Sequence, residues 1–261
     1  MARSPSGPRI FITGASSGLG AALARHYASR GAMLGLVARR GDALDRLAQS
    51  LLPAHCLNYV VDVADAGAMV AAAQDFMARA GLPDIVIANA GVSVGTLTEH
   101  AEDFPRFAKV MQTNVLGLVA TFQPFVGPMR EAGRGRLAGI ASVAGVRGLP
   151  GAGAYSASKA AAIAYLESLR VELHGSGVRV VTVCPGYVAT PMTAVNDYPM
   201  PFLLPADEAA RRIARVIERG AGYAVVPWQM AIAARLLRLL PNAVYDRLFA
   251  RAGRKPRGLT V

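Results

Sequence analysis

Seven short β-branched runs alternate with longer Ala-rich segments of helical period along this 261-residue chain, and that alternation leaves few architectures open. The runs are RIFITG (9–14), MLGLVAR (33–39), CLNYVVDV (56–63), DIVIANAG (84–91), RLAGIAS (136–142), VRVVTVCPG (178–186) and GYAVVPW (222–228). Helical patterns occupy 18–30, 41–51, 65–80, 101–130, 153–174 and 205–220. Strand, helix and strand in succession build parallel βαβ units, and right-handed crossovers put helices on both faces of one sheet. The expected fold class is α/β, a doubly wound parallel sheet of about seven strands. No solenoid repeat or low-complexity linker interrupts this order, so residues 1–261 read as one domain.

With 53% hydrophobic and 17% charged residues, a disordered or highly charged chain is ruled out. Cys56 and Cys184 lie far apart in apolar surroundings, so buried thiols in a reducing cytoplasm are expected rather than a disulfide or a metal site. The N-terminal MARSPSGPRIFITG contains no apolar run ending at a small-residue cleavage site, and no signal peptide is expected. Residues 220–234 are apolar but only 15 long and broken by Pro227, short of the roughly 20 needed to cross a bilayer.

The first run opens directly into TGASSGLG (13–20) and then a helix-forming segment. Glycines at 14, 18 and 20 let the backbone turn tightly, approach a pyrophosphate and bring the helix against the strand. The helix N-terminus then offers unpaired N–H groups to phosphate. Ser16, Ser17 and Leu19 complete this candidate cofactor turn. The spacing is G-x-x-x-G-x-G, and its place between strand and helix points to a dinucleotide site in a Rossmann sheet. At the end of the second run, where an NAD site usually has Asp or Glu, this chain has Arg39 and Arg40. A guanidinium suits a ribose 2′-phosphate, which favours NADP over NAD. The alternative is that both arginines are solvated and Asp42 meets the ribose.

The net charge of +11 is unevenly placed: residues 1–210 carry +2 and residues 211–261 carry +9. Residues 228–240 form an apolar helix pattern that ends at Pro241, and Asn242 is placed to cap a second, with Val244, Tyr245, Leu248 and Phe249 on one face. Arg235, Arg238, Arg247 and Arg251 lie among these apolar positions. Residues 228–261 are therefore expected to form a basic, amphipathic, helical C-terminal extension. It is read first as packing on the body or a second subunit, and second as a peripheral membrane contact.

The stretch GAYSASKAAAIAYLESL (153–169) sets Tyr155 and Lys159 one helical turn apart. Taken with TGASSGLG, VDV at Asp62, ANAG (88–91), TNVLG at Asn114, GIASVAG at Ser142, YSASK and PGYVATPM, it resembles the short-chain dehydrogenase/reductase family over nearly the whole length. One departure is Ala88, where the family often has a second Asn. Singly, Asp62 reads equally as a helix cap, Asn114 as a polar helix residue and Ser142 as a turn hydroxyl.

The resemblance implies a cofactor site made by Gly14 to Gly20, Arg39 and Arg40, with Asp62 and Val63 near the adenine and Asn89, Ala90 and Gly91 beside the ribose. Pro185, Gly186, Val188 and Thr190 would run along the nicotinamide. Asn114, Ser142, Tyr155 and Lys159 would be the catalytic set, and Ser142, Tyr155 and Met192 would meet the substrate. Tyr155 is expected to donate a proton to the carbonyl oxygen, with its pKa lowered by the Lys159 ammonium, which also holds the ribose hydroxyls. Ser142 would orient the oxygen, and Asn114 would hold a water leading to Lys159. The small residues at 156–158 are expected to keep bulk away from the cofactor.

Residues 187–205 read as a lid whose Met192, Met200, Phe202, Leu203 and Leu204 suit an apolar carbonyl or alcohol, or simply pack on the body. The function expected is hydride transfer between NADP(H) and such a substrate, by a homodimer or homotetramer with contacts through 101–130 and 153–174. A non-catalytic NADP-binding sensor or scaffold is the alternative. Nucleic acid is not an expected partner, because the basic tail is aliphatic and carries no recognition motif.

Overall fold

The computed structural model describes residues 7–258. The ends of the 1–261 stretch, and with them part of the N-terminal reading and the last residues of the extension, lie outside the described residues. Strand β1 (Arg9–Thr13), helix α1 (Gly18–Ala28), β2 (Met33–Ala38), α2 (Gly41–Ser50), β3 (Cys56–Val60), α3 (Ala66–Ala80) and β4 (Ile85–Ala88) form the first half. A 3-10 turn (Ala101–Asp103), α4 (Phe104–Met111), a π-helical turn (Gln112–Leu116) and α5 (Gly117–Glu131) lead to β5 (Gly135–Ile140), α6 (Gly153–Glu172) and β6 (Val178–Pro185). The chain continues through β7 (Val188–Ala189), α7 (Pro191–Ala194), β8 (Leu204–Pro205), α8 (Ala206–Arg219), β9 (Tyr223–Val226), α9 (Trp228–Leu239) and α10 (Asn242–Phe249).

Seven strands form one parallel sheet in the order β3-β2-β1-β4-β5-β6-β9. The chain winds outward from β1 to β3 and then restarts on the other side of β1 with β4. The crevice at that reversal, outside the carboxyl ends of the strands, is where such sheets bind ligands. Side-chain alternation explains the two covered faces. Ile10, Ile12, Leu34, Leu36, Val181 and Val183 face Leu23, Tyr27, Ile213 and Ile217 of α1 and α8. Phe11, Val37, Val86, Leu137 and Val180 face Phe76, Phe125 and Leu166 of α3, α5 and α6. Local signals set the helix ends: Asp65 accepts from Ala68 N at the start of α3, and Gly220 closes α8 with φ 67°.

The segment expected as one helix over 101–130 is divided. The π-helical turn at 112–116 widens the coil by one residue and turns Asn114 inward, where it is 1% exposed.

Both tail helices form, and they pack on the body through Met230, Ala234 and Tyr245. Arg147 is the bolt. Its guanidinium donates to Leu240 O at 2.7 Å and Asn242 Oδ1 at 2.9 Å and lies 3.9 Å over the Tyr245 ring. Asn242 is therefore not the cap expected of it. Pro241 occupies the N-cap of α10 without a side-chain bond, and the Asn242 amide serves Arg147 instead. Of the expected apolar face, Tyr245 is buried and stacked on Phe249, whereas Val244 and Leu248 are exposed.

Candidate active site

The cleft at the sheet's reversal begins with the glycine turn. Gly14 has φ 67°, and a Cβ there would stand 2.7 Å from Ala90 Cα, so the turn after β1 has no room for a side chain. Asn89 fastens it: the amide Nδ2 donates to Thr13 O (3.1 Å) and Gly14 O (3.3 Å), and Asn89 N donates to Thr13 Oγ1 (3.2 Å). The side chain thus holds the turn, while the backbone of Asn89, Ala90 and Gly91 lines the cleft. The N-cap of α1 is Ser17, with no side-chain cap bond, so the first N–H groups of the helix remain available to an anion. That uncapped terminus and the closed-in glycine cradle fit a dinucleotide pyrophosphate.

Arg39 and Arg40 follow β2 at the same end, and Arg40 Nη2 donates to Ser16 Oγ at 3.1 Å, closing over the turn. Asp62 and Val63 lie beyond β3 and line the cleft. Burial works against the charge of Asp62, but bonds from Ala64 N (3.0 Å) and Lys109 Nζ (3.1 Å), with Arg39 nearby, hold its carboxyl below the usual range. Asp62 does not cap α3; Asp65 does.

The candidate catalytic side chains come from the ends of β5 and α6. Ser142 follows β5 and accepts from Ala144 N at 3.1 Å, and its hydroxyl lines the same cleft as the Tyr155 phenol, whose pKa it lowers. Lys159 is 4% exposed, and Nζ donates to Ile140 O at 2.8 Å. Burial pushes its pKa down to about 8. Burial likewise pushes the Tyr155 phenol above its ordinary value, against the lowering from Ser142. This is opposite to the expected lowering by Lys159, because the ammonium lies 5.8 Å from the phenol ring centroid and points at a carbonyl.

Asn114 sits behind the cleft. Nδ2 donates to Val92 O (3.0 Å) and Ser158 Oγ (2.9 Å), and Oδ1 accepts from Val92 N (2.8 Å). It ties the loop after β4 to α6, which is a positioning role. Two of the small residues of YSASK are committed to hydrogen bonds: Ser158 is the partner of Asn114, Ser156 Oγ accepts from Leu149 N at 3.2 Å, and both are buried. Ala157 is exposed.

Pro185, Gly186, Val188, Thr190 and Met192 continue the cleft wall. Thr190 opens α7 in a reciprocal capping box with Thr193, whose Oγ1 donates to Val188 O at 2.6 Å. A Cβ on Gly18 would come within 3.2 Å of Thr190, so the lid begins against the phosphate turn. The cleft takes in every residue expected to bind cofactor except Gly20, whose place behind the turn is fixed by Gly14 O, 2.2 Å from where a Cβ would stand.

The lid at 187–205 is closed at its base by a two-rung ladder, Val188 to Leu204 and Ala189 to Pro205. Phe202 and Leu203 are exposed, not packed on the body. Sequence reasoning missed the strap that crosses beside them. Lys255 Nζ donates to Met192 O (2.9 Å) and Asn196 Oδ1 (3.2 Å), Gly95 N donates to Pro256 O (3.0 Å), and Arg257 Nε donates to Asp103 Oδ2 (2.7 Å). Gly253 lies against Tyr198, which packs edge-on to Tyr187. Cutting the chain after Phe249 is expected to raise the substrate KM several-fold with little change in cofactor affinity; equal loss of both would show that the strap supports the whole cleft.

A doubly wound sheet with a phosphate-fitting turn at its reversal defines a dinucleotide-binding class of protein. The chain belongs to the short-chain dehydrogenase family: residues 8–199 match the family model described as short chain dehydrogenase. An uncharacterized oxidoreductase of Myxococcus xanthus (strain DK1622) is 41% identical over 238 residues, covering 90% of this chain and 94% of its own. The L-sorbose reductase of Gluconobacter frateurii, solved with NADPH and L-sorbose, superposes with a TM-score of 0.76 at 28% identity, over 87% of this chain and 97% of its own. A 3-oxoacyl-[acyl-carrier protein] reductase of Brucella melitensis with bound NAD gives 0.74 at 29% identity, over 86% and 91%. The protein is an oxidoreductase of this family, and the solved neighbours include both NAD and NADPH complexes.

Proposed function

We propose that the protein transfers a hydride between NADP(H) and the carbonyl or secondary alcohol of an apolar substrate, with the whole chain acting as one domain. The observation that carries this reading is the meeting, in one cleft, of the Ser142 and Tyr155 hydroxyls, the buried Lys159 ammonium and the uncapped start of α1. The bound nicotinamide supplies or accepts the hydride. Tyr155 delivers its phenolic proton to the substrate oxygen as charge develops there, and Ser142 holds that oxygen by a second hydrogen bond. Lys159 leaves Ile140 O for the ribose hydroxyls, which orients the reacting carbon and brings positive charge toward the phenol. Asn114 keeps the Val92 loop and α6 in register for this exchange.

NADP is favoured by the two guanidinium groups beyond β2, Arg40 already reaching across to Ser16. Arg40→Ala is expected to raise KM for NADPH about tenfold while leaving KM for NADH nearly unchanged; steady-state kinetics with both cofactors checks this, and equal effects would return the assignment to a general dinucleotide site. An apolar substrate is supported by the exposed Met192, Phe202 and Leu203 of the lid. A homodimer or homotetramer is supported by Phe104, Leu116 and Val171, exposed on the helices expected to make subunit contacts. Free thiols at Cys56 and Cys184 are in keeping with a reducing, cytoplasmic setting. The test is a screen of apolar and polar ketones for NADPH and NADH oxidation. Binding of cofactor without turnover of any of them would favour the sensor or scaffold reading.

A further inference from the structure

The tail helices carry apolar residues on both sides. Their inward residues, Met230, Ala234 and Tyr245, are buried against the body, yet the outward face is also apolar. Trp228 (65% exposed), Ile232, Leu236 (60%) and Leu239 (79%) are spaced to form one stripe along α9, and Val244 and Leu248 continue it on α10. Arg235, Arg238, Arg247 and Arg251 are exposed beside that stripe. The Arg147 bolt and the Tyr245 hydroxyl, which donates to Gly148 O, keep the pair fixed on the loop that follows Ser142.

We infer that this outward face docks the protein on an anionic phospholipid bilayer and turns the substrate side of the cleft toward it. Charge decides the occupant. An identical copy would bring the same arginines together, from a segment, 211–261, that carries +9. A bilayer surface instead offers phosphate anions to the guanidinium groups and acyl chains to Trp228, Leu236 and Leu239. The same helices touch the site. Met230 lies against Gly186 in the cleft wall, and the chain leaving α10 places Gly253 on Tyr198 of the lid. Phe202 and Leu203 on that lid are exposed as well. Building on the proposal of an apolar carbonyl or alcohol, the substrate class becomes one dissolved in the bilayer, entering beside the lid without crossing water.

The protein carries its own probe, since Trp228 is its only tryptophan. The full chain is mixed with vesicles of equal parts phosphatidylcholine and phosphatidylglycerol, or of phosphatidylcholine alone. Flotation with the anionic vesicles and a blue shift of Trp228 emission are the expected results. Replacing Arg235, Arg247 and Arg251 together by Gln should weaken partitioning roughly a hundredfold, and added salt should do the same in part. L236S/L239S should abolish the blue shift. These variants should keep wild-type NADPH oxidation with a water-soluble ketone, which tests the chemistry separately from the docking. The inference is overturned by failure to float with either vesicle, by equal binding to the neutral one, or by self-association that L236S/L239S disperses.

Discussion

Tyr155→Phe is expected to lower turnover roughly a thousandfold while NADPH affinity, followed by cofactor fluorescence, stays within about twofold of wild type. Tyr155 and Ser142 line the same cleft, but only the phenol sits one helical turn from Lys159. In the proposed mechanism the serine hydroxyl therefore orients and the phenol donates. Burial holds the phenol in its protonated form, which suits delivery of a proton to a ketone. In the alcohol-to-ketone direction the phenol must first lose that proton, so the oxidative rate should climb with pH more steeply than the reductive one. Retention of wild-type rate by the phenylalanine variant would overturn the assignment of Tyr155.

Lys159→Ala is expected to damage binding and rate together, with NADPH affinity falling about tenfold and kcat falling at least a hundredfold. A loss confined to kcat would argue against a hold on the ribose. Because burial sets the Lys159 pKa at about 8, cofactor affinity in the wild type should decline as pH rises through that value, and the alanine variant should lack the break. The stability sign follows from the same shift. Above about 8 and up to the ordinary lysine value, the unfolded chain holds a proton that the folded one has released, so stability rises with pH across that window. Below it both states are charged, the slope from this residue vanishes, and urea midpoints of wild type and variant should run parallel.

The doubly wound parallel sheet and the glycine turn were legible because they depend on local signals: β-branched runs, helical period, and glycines between strand and helix. Helix division at Gln112–Leu116 was not, since a π-helical turn leaves the apolar pattern of the segment unchanged and no residue in it marks the extra unit. The family motifs pointed to Asn89, Asn114 and Ser158, but their tasks are tertiary. Each amide or hydroxyl is committed to a partner 22 or more residues away, such as Asn89 to Thr13 or Asn114 to Ser158. The strap was invisible for the same reason. Lys255 bonds to a backbone carbonyl and an amide of the lid, partners that no charge pattern announces.

That strap also sets an order of events during synthesis. The surfaces offered to cofactor are drawn from residues 14–193, all of which leave the ribosome before the strap does. The contacts of Lys255, Pro256 and Arg257 with the lid and with Gly95 and Asp103 are made only by the final stretch of the described chain. A growing chain can therefore assemble a nucleotide cleft well before its substrate wall is fastened.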